Sequence, residues 1–192
     1  MKKTMNQQPA VCFRNTVFGP VAMLWSVCED KPGVSRILIP KPKISAEQIV
    51  AGSYPDSRIS SCTEINALAD QIETFLIGED IRFSLDMVRL DLCTTFQQKV
   101  LRAEHAISRG RVSSYGLIAK YLNNPGGARA VGMALSTNPF PIIIPCHRTV
   151  RSDGALGGFQ GGIPMKLALL KMEGVAFQDK NHVVPGNFFY LN

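Results

Sequence analysis

The apolar positions of the chain change their period once. Up to about residue 92 the short apolar runs are of β type. Ala10 to Phe18, Val21 to Val27 and Val34 to Ile39 are rich in β-branched and aromatic residues, and Gly19-Pro20 and Lys31-Pro32-Gly33 separate them. This pattern predicts a small antiparallel sheet. Within the same half Ile65, Leu68, Ala69, Ile72, Phe75 and Leu76 recur at helical spacing, so Ile65 to Ile77 is predicted to be a helix ended by Gly78. Lys41 to Ser61, punctuated by proline and serine, is expected to be irregular. Ile81 to Leu92 returns to an extended pattern.

From about Cys93 the character is helical. Thr95 to Ser108 is predicted as a helix closed by Arg109-Gly110-Arg111. Ser113 or Ser114 can cap the next, which carries Leu117, Ile118, Tyr121 and Leu122 on one face. Asn123 to Gly127 is a strong turn, and a short helix follows from Ala128 to Ser136, giving a helix-turn-helix outline that also recurs in proteins that never touch DNA. At about 100° per residue Val131, Ala134 and Leu135 share one side of that helix, and Arg129 points away from them. Gly127, Ala128, Ala130, Gly132 and Ala134 make it slim, which suits either tight helix packing or entry into a narrow groove. Ile142-Ile143-Ile144 reads as a buried strand stopped by Pro145. Gly154 to Gly162 is a glycine-dense loop that lacks the phosphate-binding patterns. It either lets backbone amides approach a planar ligand, with Phe159 as a lid, or serves as a linker. Pro164 starts a helix with Leu167, Leu169, Leu170 and Met172 as core, closed by Glu173-Gly174, and residues 175 to 192 form a tail expected to dock on the body. The class is mixed α/β of the α+β kind, in two domains: residues 1–92 with sheet and helix, and residues 93–192, mostly helical.

At 192 residues and 45% apolar content the chain can hold one large or two small packed domains. Met1 to Gln8 lacks the apolar core of a signal segment and no run nears the roughly 18 apolar residues of a membrane span, so a soluble protein is expected. Five cysteines without a C-x-x-C pair argue against a disulfide framework or zinc knuckle and for a reducing compartment, and His105, His147 and His182 are scattered. No metal is predicted. The net charge of +6 is unevenly spread: residues 1–92 carry ten Lys/Arg against eleven Asp/Glu, residues 93–192 eleven against four. An anionic partner such as nucleic acid fits that asymmetry, as does a merely solvated basic surface.

The basic half also holds Pro145-Cys146-His147-Arg148, a thiol, an imidazole and a guanidinium at the end of the apolar run. A free thiol titrates near ~8.5 and needs a base or a positive field to react at neutral pH, which His147 and Arg148 can supply; the alternative is an inert core cysteine. On an extended chain His147 and Cys146 point to opposite faces, which favours a water between them.

Tyr115, Gly127 to Ala134, Asn138-Pro-Phe-Pro-Ile-Ile-Ile-Pro-Cys-His-Arg148, the Gly154 to Gly162 loop and Lys166 with Glu173-Gly174 together resemble the O6-alkylguanine-DNA alkyltransferases, also called methylated-DNA–protein-cysteine methyltransferases. The resemblance spans Phe96 to Gly174, and in the first half it rests on the layout of elements, with a ribonuclease H-like fold implied. It implies direct-reversal repair, in which an alkyl group passes irreversibly from guanine O6, and from thymine O4, in duplex DNA to Cys146. By position, His147 draws off the thiol proton through a water, Glu173 orients that imidazole, and Tyr115 assists nucleotide rotation and the leaving purine. Asn138 ties the helix-turn-helix to the active-site segment. Arg129 enters from the minor groove to fill the gap left by the flipped nucleotide, with Ala128, Gly132, Tyr115 and Arg148 also at the DNA surface. Leu135, Pro141, Phe159 and Gln160 line the pocket. The implied partner is double-stranded DNA containing alkylated guanine, the protein a monomer without cofactor in the cytoplasm, or in the nucleus of a eukaryote. Phe159, Thr149 and Arg151 depart from the usual Tyr, Val and small residue. A non-catalytic lesion-binding module is the alternative, against which the retained cysteine speaks.

Overall fold

The structure, a computed structural model, describes residues 9–184, 186 and 188–191. Strands β1 (Ala10–Arg14), β2 (Val21–Cys28) and β3 (Lys31–Leu38) form an antiparallel meander, and β4 (Arg58–Ile59) pairs parallel with β1, giving the order β3-β2-β1-β4. Both faces of this sheet are covered. Val11, Ala22, Leu24 and Leu38 pack against Ala46 and Val50 of α1 (Ala46–Ser53), while Cys12, Val21, Met23 and Trp25 face Ile65, Leu68 and Ile72 of α2 (Thr63–Leu76). Side chains alternate between faces with period 2, so a strand buried on both reads as an unbroken apolar run, as Val21 to Trp25 does.

Three expectations for this half are corrected. The first strand stops at Arg14 rather than Phe18, because Thr16 turns the chain: its hydroxyl accepts from Phe18 N and donates to Gly19 O. Lys41 to Ser61 is not wholly irregular, since it contains α1, started by a capping box in which Ser45 and Gln48 satisfy each other's backbone N–H. Ile81 to Leu92 does not form a strand; it touches β3 only where Val34 N donates to Met87 O and Arg89 N to Val34 O, then makes a 3-10 turn at Leu90–Leu92. Phe83, Val88 and Leu90 are instead single anchors in the core.

The second half contributes α3 (Thr95–His105), α4 (Tyr115–Tyr121), α5 (Ala128–Ser136) and α6 (Gly162–Met172), with a short parallel pair between β5 (Ser113–Ser114) and β6 (Thr149–Val150). Thr94 and Ser114 cap α3 and α4 by accepting from Gln97 N and Leu117 N. Over its described residues the tail docks as expected: Phe189 N donates to Val112 O, the Tyr190 hydroxyl to Ala103 O, and the Tyr190 ring stacks on Tyr121 at 4.1 Å. One apolar core crosses from Ala10 to Leu169, so the two halves share their packing.

Ile142 to Ile144 is a tight turn, not the expected buried strand. Asn138, 2% exposed, organises it: its amide donates to Ile144 O at 3.0 Å and its carbonyl accepts from Phe140 N at 2.9 Å. Ile142 is held at φ +76, a left-handed conformation that no strand can contain and that costs a β-branched residue energy. The turn delivers Cys146 into a 3-10 turn, Cys146–Arg148. Asn138→Ala strips the buried Phe140 N–H of its partner, worth roughly 1–3 kcal/mol, and removes one of two hydrogen bonds to Ile144 O, which also accepts from Cys146 N, worth about 1 kcal/mol. Chemical denaturation is therefore expected to show a loss of about 2–4 kcal/mol, and a loss below ~0.5 kcal/mol would rule out this role for Asn138.

Candidate active site

Cys146, 7% exposed, sits at the floor of a cavity of about 240 Å³ lined by Tyr115, Gly132, Leu135, Ser136, Gly158, Phe159 and Gln160. Each wall has a local cause. Leu135 lies on the buried side of α5 while its neighbour Ser136 reaches the rim. Gln160 is fixed by its amide, which donates to Asn138 O at 2.8 Å. Gly157 has φ +66 and passes so close to Tyr115 that a Cβ there would stand 3.4 Å from the hydroxyl, so glycine lets the loop close against the tyrosine. Burial pushes the Cys146 thiol up to about 12; Asn138 and Lys166 act to lower it, and Glu104 adds to the rise. At neutral pH the Cys146 side chain is therefore a neutral thiol.

His147, next to Cys146 in sequence, and Glu173, at the end of α6, are 0% and 5% exposed. His147 Nε2 lies 2.8 Å from Glu173 Oε1, and Arg148 grips the same carboxylate with Nε at 2.9 Å and Nη2 at 2.8 Å. Burial works against the Glu173 anion, yet His147 and Arg148 outweigh it and hold the carboxyl at about 2. Burial also lowers the His147 pKa, against the pull of Glu173, so the imidazole is neutral. An ionised carboxylate accepts only, so the ring proton belongs on Nε2 and Nδ1 keeps its lone pair. Nδ1 is buried and has no hydrogen-bond partner among the described residues. The ring is wedged between Phe75 and Phe159, at centroid distances of 6.3 and 6.0 Å.

The other expected residues divide. Leu135, Phe159, Gln160, Gly132 and Tyr115 meet Cys146 around the cavity. Arg129 is exposed on α5, opposite the buried Val131, Ala134 and Leu135, and Ala128 is partly exposed beside it. Two expectations are corrected. Arg148 does not face outward to DNA: it is 8% exposed and its guanidinium is spent on Glu173 and on Ile107 O, at 2.6 Å. Pro141 lies outside the cavity lining, buried in the turn where it pairs with Ile144. The chain from Cys146 to Arg148 is a 3-10 turn rather than extended, and no hydrogen bond joins the thiol to His147.

Sequence reasoning missed Phe75, Lys166 and Glu104. Phe75 was legible only as core, because nothing local ties α2 to a residue 72 positions onward. Lys166 and Glu104 carried a signal: each is a charge on the apolar face of its helix, beside Met165, Leu169 and Leu170 in α6 and beside Val100, Leu101 and Ala103 in α3.

Residues 95–175 match the family described as 6-O-methylguanine DNA methyltransferase, DNA binding domain. The methylated-DNA–protein-cysteine methyltransferase of Methanothermobacter thermautotrophicus is 43% identical over 114 residues, spanning 59% of this chain and 64% of that protein. The Mycobacterium leprae protein of the same name is 43% identical over 130 residues, 66% of this chain and 77% of that one. The crystal structure of Mycobacterium tuberculosis OGT in complex with DNA is similar with a TM-score of 0.68 at 31% identity, covering 85% of this chain and 92% of that chain. With more than two thirds of the Mycobacterium leprae protein matched at that identity, this chain belongs to the methylated-DNA–protein-cysteine methyltransferase family.

Proposed function

We propose that the protein repairs duplex DNA by taking the alkyl group of O6-alkylguanine, and of O4-alkylthymine, onto Cys146 in a single, irreversible turnover. The observation that carries this reading is a thiol at the floor of a cavity, next in sequence to a neutral imidazole whose tautomer a buried carboxylate fixes. The S–C bond forms as the O6–C bond breaks, and the bonding pair stays on the purine. The thiol proton passes through a water to His147 Nδ1, the purine anion takes a proton at N1 from solvent water, and His147 returns its own to solvent, so that the proton lost by sulfur balances the one gained by guanine. Glu173 balances the imidazolium that results, which is how a thiol with a high resting pKa is made nucleophilic only when an electrophile is in place. Tyr115, at the cavity wall, donates toward the departing purine, where negative charge grows.

A base inside the stack is out of reach of a buried thiol, so the nucleotide must rotate into the cavity. We read α4, the turn and α5 as a helix-turn-helix laid in the minor groove, with Arg129 filling the vacated place and Ala128 and Gly132 permitting close approach. Residues 1–92 are read as a ribonuclease H-like domain that buttresses residues 93–192. The protein acts as a monomer, in the cytoplasm or, in a eukaryote, the nucleus.

Incubation with an equimolar O6-methylguanine duplex is expected to add one methyl to the Cys146 peptide by mass spectrometry, and none in Cys146→Ser. Tight lesion binding without an adduct would replace this reading with that of a non-catalytic lesion-binding module. Arg129→Ala is expected to slow repair of duplex by at least about tenfold while leaving alkyl transfer from free O6-benzylguanine within about twofold, since only the duplex demands flipping; equal slowing of both removes the flipping role. Because the folded Glu173 carboxyl titrates at about 2, below its ordinary 4.5, its stabilisation is fully present above pH ~4.5 and is lost as pH falls toward 2. Stability measured against pH is expected to fall by about 3 kcal/mol across that window, and Glu173→Gln to flatten this limb; an unchanged limb would remove Glu173 from the account.

A further inference from the structure

Behind the nucleophile lie two ionisable side chains to which the transfer just described gives no role. Glu104 of α3 and Lys166 of α6 are both 0% exposed. Thr149 connects them: its hydroxyl donates to Glu104 Oε2, and its carbonyl accepts from Lys166 Nζ. Lys166 Nζ also reaches Gly158 O at 3.3 Å, so the lysine fastens the loop that walls the cavity to the segment that follows Cys146. The second Glu104 oxygen, Oε1, is buried without a hydrogen-bond partner among the described residues. A carboxylate satisfied at one oxygen and shut away from water is a poorly stabilised anion.

The charged and titratable groups around Glu104 are Lys166 from α6, Arg148 and Cys146 from the 3-10 turn, Tyr115 from α4 and Tyr190 from the C-terminal segment. Burial raises the carboxyl to about 7, against the Thr149 hydroxyl, Lys166 and Arg148, which act to lower it. Burial likewise brings Lys166 down to about 8. The sulfur therefore faces a cation that favours its thiolate and a carboxyl that opposes the thiolate only when ionised.

Building on the alkyl-transfer reading, we propose that Glu104 is a positioning residue that sets the electrostatic bias on Cys146 through Lys166: protonated, it leaves the ammonium unopposed near the sulfur, and ionised, it holds the nucleophile in the thiol form. An ordinary thiol differs, in that its reactivity climbs freely with pH. Here the rise is restrained above neutrality, because the same increase in pH that favours thiolate also creates the opposing charge.

The test compares the full chain with Glu104→Gln between about pH 6 and 9 by two readouts: carboxamidomethylation of Cys146 by iodoacetamide, followed by peptide mass spectrometry, and methyl transfer from an O6-methylguanine duplex. The two proteins are expected to react alike near pH 6, where Glu104 carries its proton. Between about pH 7 and 8, where Glu104 is ionised and Lys166 still charged, the variant pulls ahead, by about tenfold for each pKa unit that the anion imposes on the thiol. Glu104→Leu, of similar volume, removes the same charge and is expected to diverge in the same way, which keeps the test decisive should the Gln variant fold poorly. Parallel pH profiles for all folded variants, with methyl transfer intact in the parent, overturn the role of Glu104 and leave the repair reading standing. Diverging iodoacetamide profiles with no methyl transfer in the parent support the role of Glu104 and overturn the repair reading instead.

Discussion

The Glu173 carboxylate holds three parts of the molecule at once. It belongs to the residue that closes α6, accepts from the His147 ring, and is clasped by Arg148, whose third bond runs to Ile107 O just beyond α3. A charge buried this deeply is tolerated only when paired and hydrogen-bonded, and removing one partner of such a pair costs on the order of 3–5 kcal/mol. His147 and Arg148 together allow Glu173 to remain an anion, and the anion is what gives His147 a defined tautomer. The Arg148 guanidinium, two positions after Cys146, is thus spent on the carboxylate rather than exposed at the surface.

On the proposed alkyl transfer, with Cys146 as nucleophile and His147 as base, this arrangement answers the tension between a buried thiol and a reactive one. Burial favours the neutral thiol, which protects a nucleophile that can be used once from stray electrophiles in the medium. Reactivity then depends on a base that is neutral beforehand and cationic afterwards. His147 meets both demands: burial keeps it neutral at rest, and Glu173 stabilises its charged form once it has taken a proton. A permanently lowered thiol pKa would solve the second problem and lose the protection.

Much of this was legible in the sequence because it is written locally. The three long strands, α2, α3 and the pair α4 and α5 follow from period, caps and turns, and the outward side of Arg129 follows from helical geometry alone. Two of the misreadings arise because a partner outside the segment decided its local outcome. Ile142 to Ile144 has strand composition, but the Asn138 amide folds it into a turn. Arg148 reads as a surface cation until Glu173, 25 positions away, claims it. The helix α1 is a different case, since its capping box at Ser45 and Gln48 was present in the sequence and outweighed the prolines around it.

The first half of the chain, which carries none of the reacting groups, enters the site through packing. Phe75 of α2 stands against the His147 ring and also receives Arg109, whose guanidinium carbon lies 5.9 Å above it, while Arg109 donates to Gly78 O and to Met172 O, one residue before Glu173. Ile37 N of β3 donates to Pro139 O, at the root of the turn that carries Cys146. Both contacts touch the supports of the catalytic groups rather than the groups' reacting atoms. A buried imidazole keeps its orientation only if its faces are packed as well as its nitrogens bonded, and the ring contacts from Phe75 and Phe159 bring that packing from opposite ends of the chain. On the proposed transfer the shared core is therefore a condition of the chemistry: loosening α2 would free the imidazole to rotate out of line with Glu173 while Cys146 and Glu173 stayed in place.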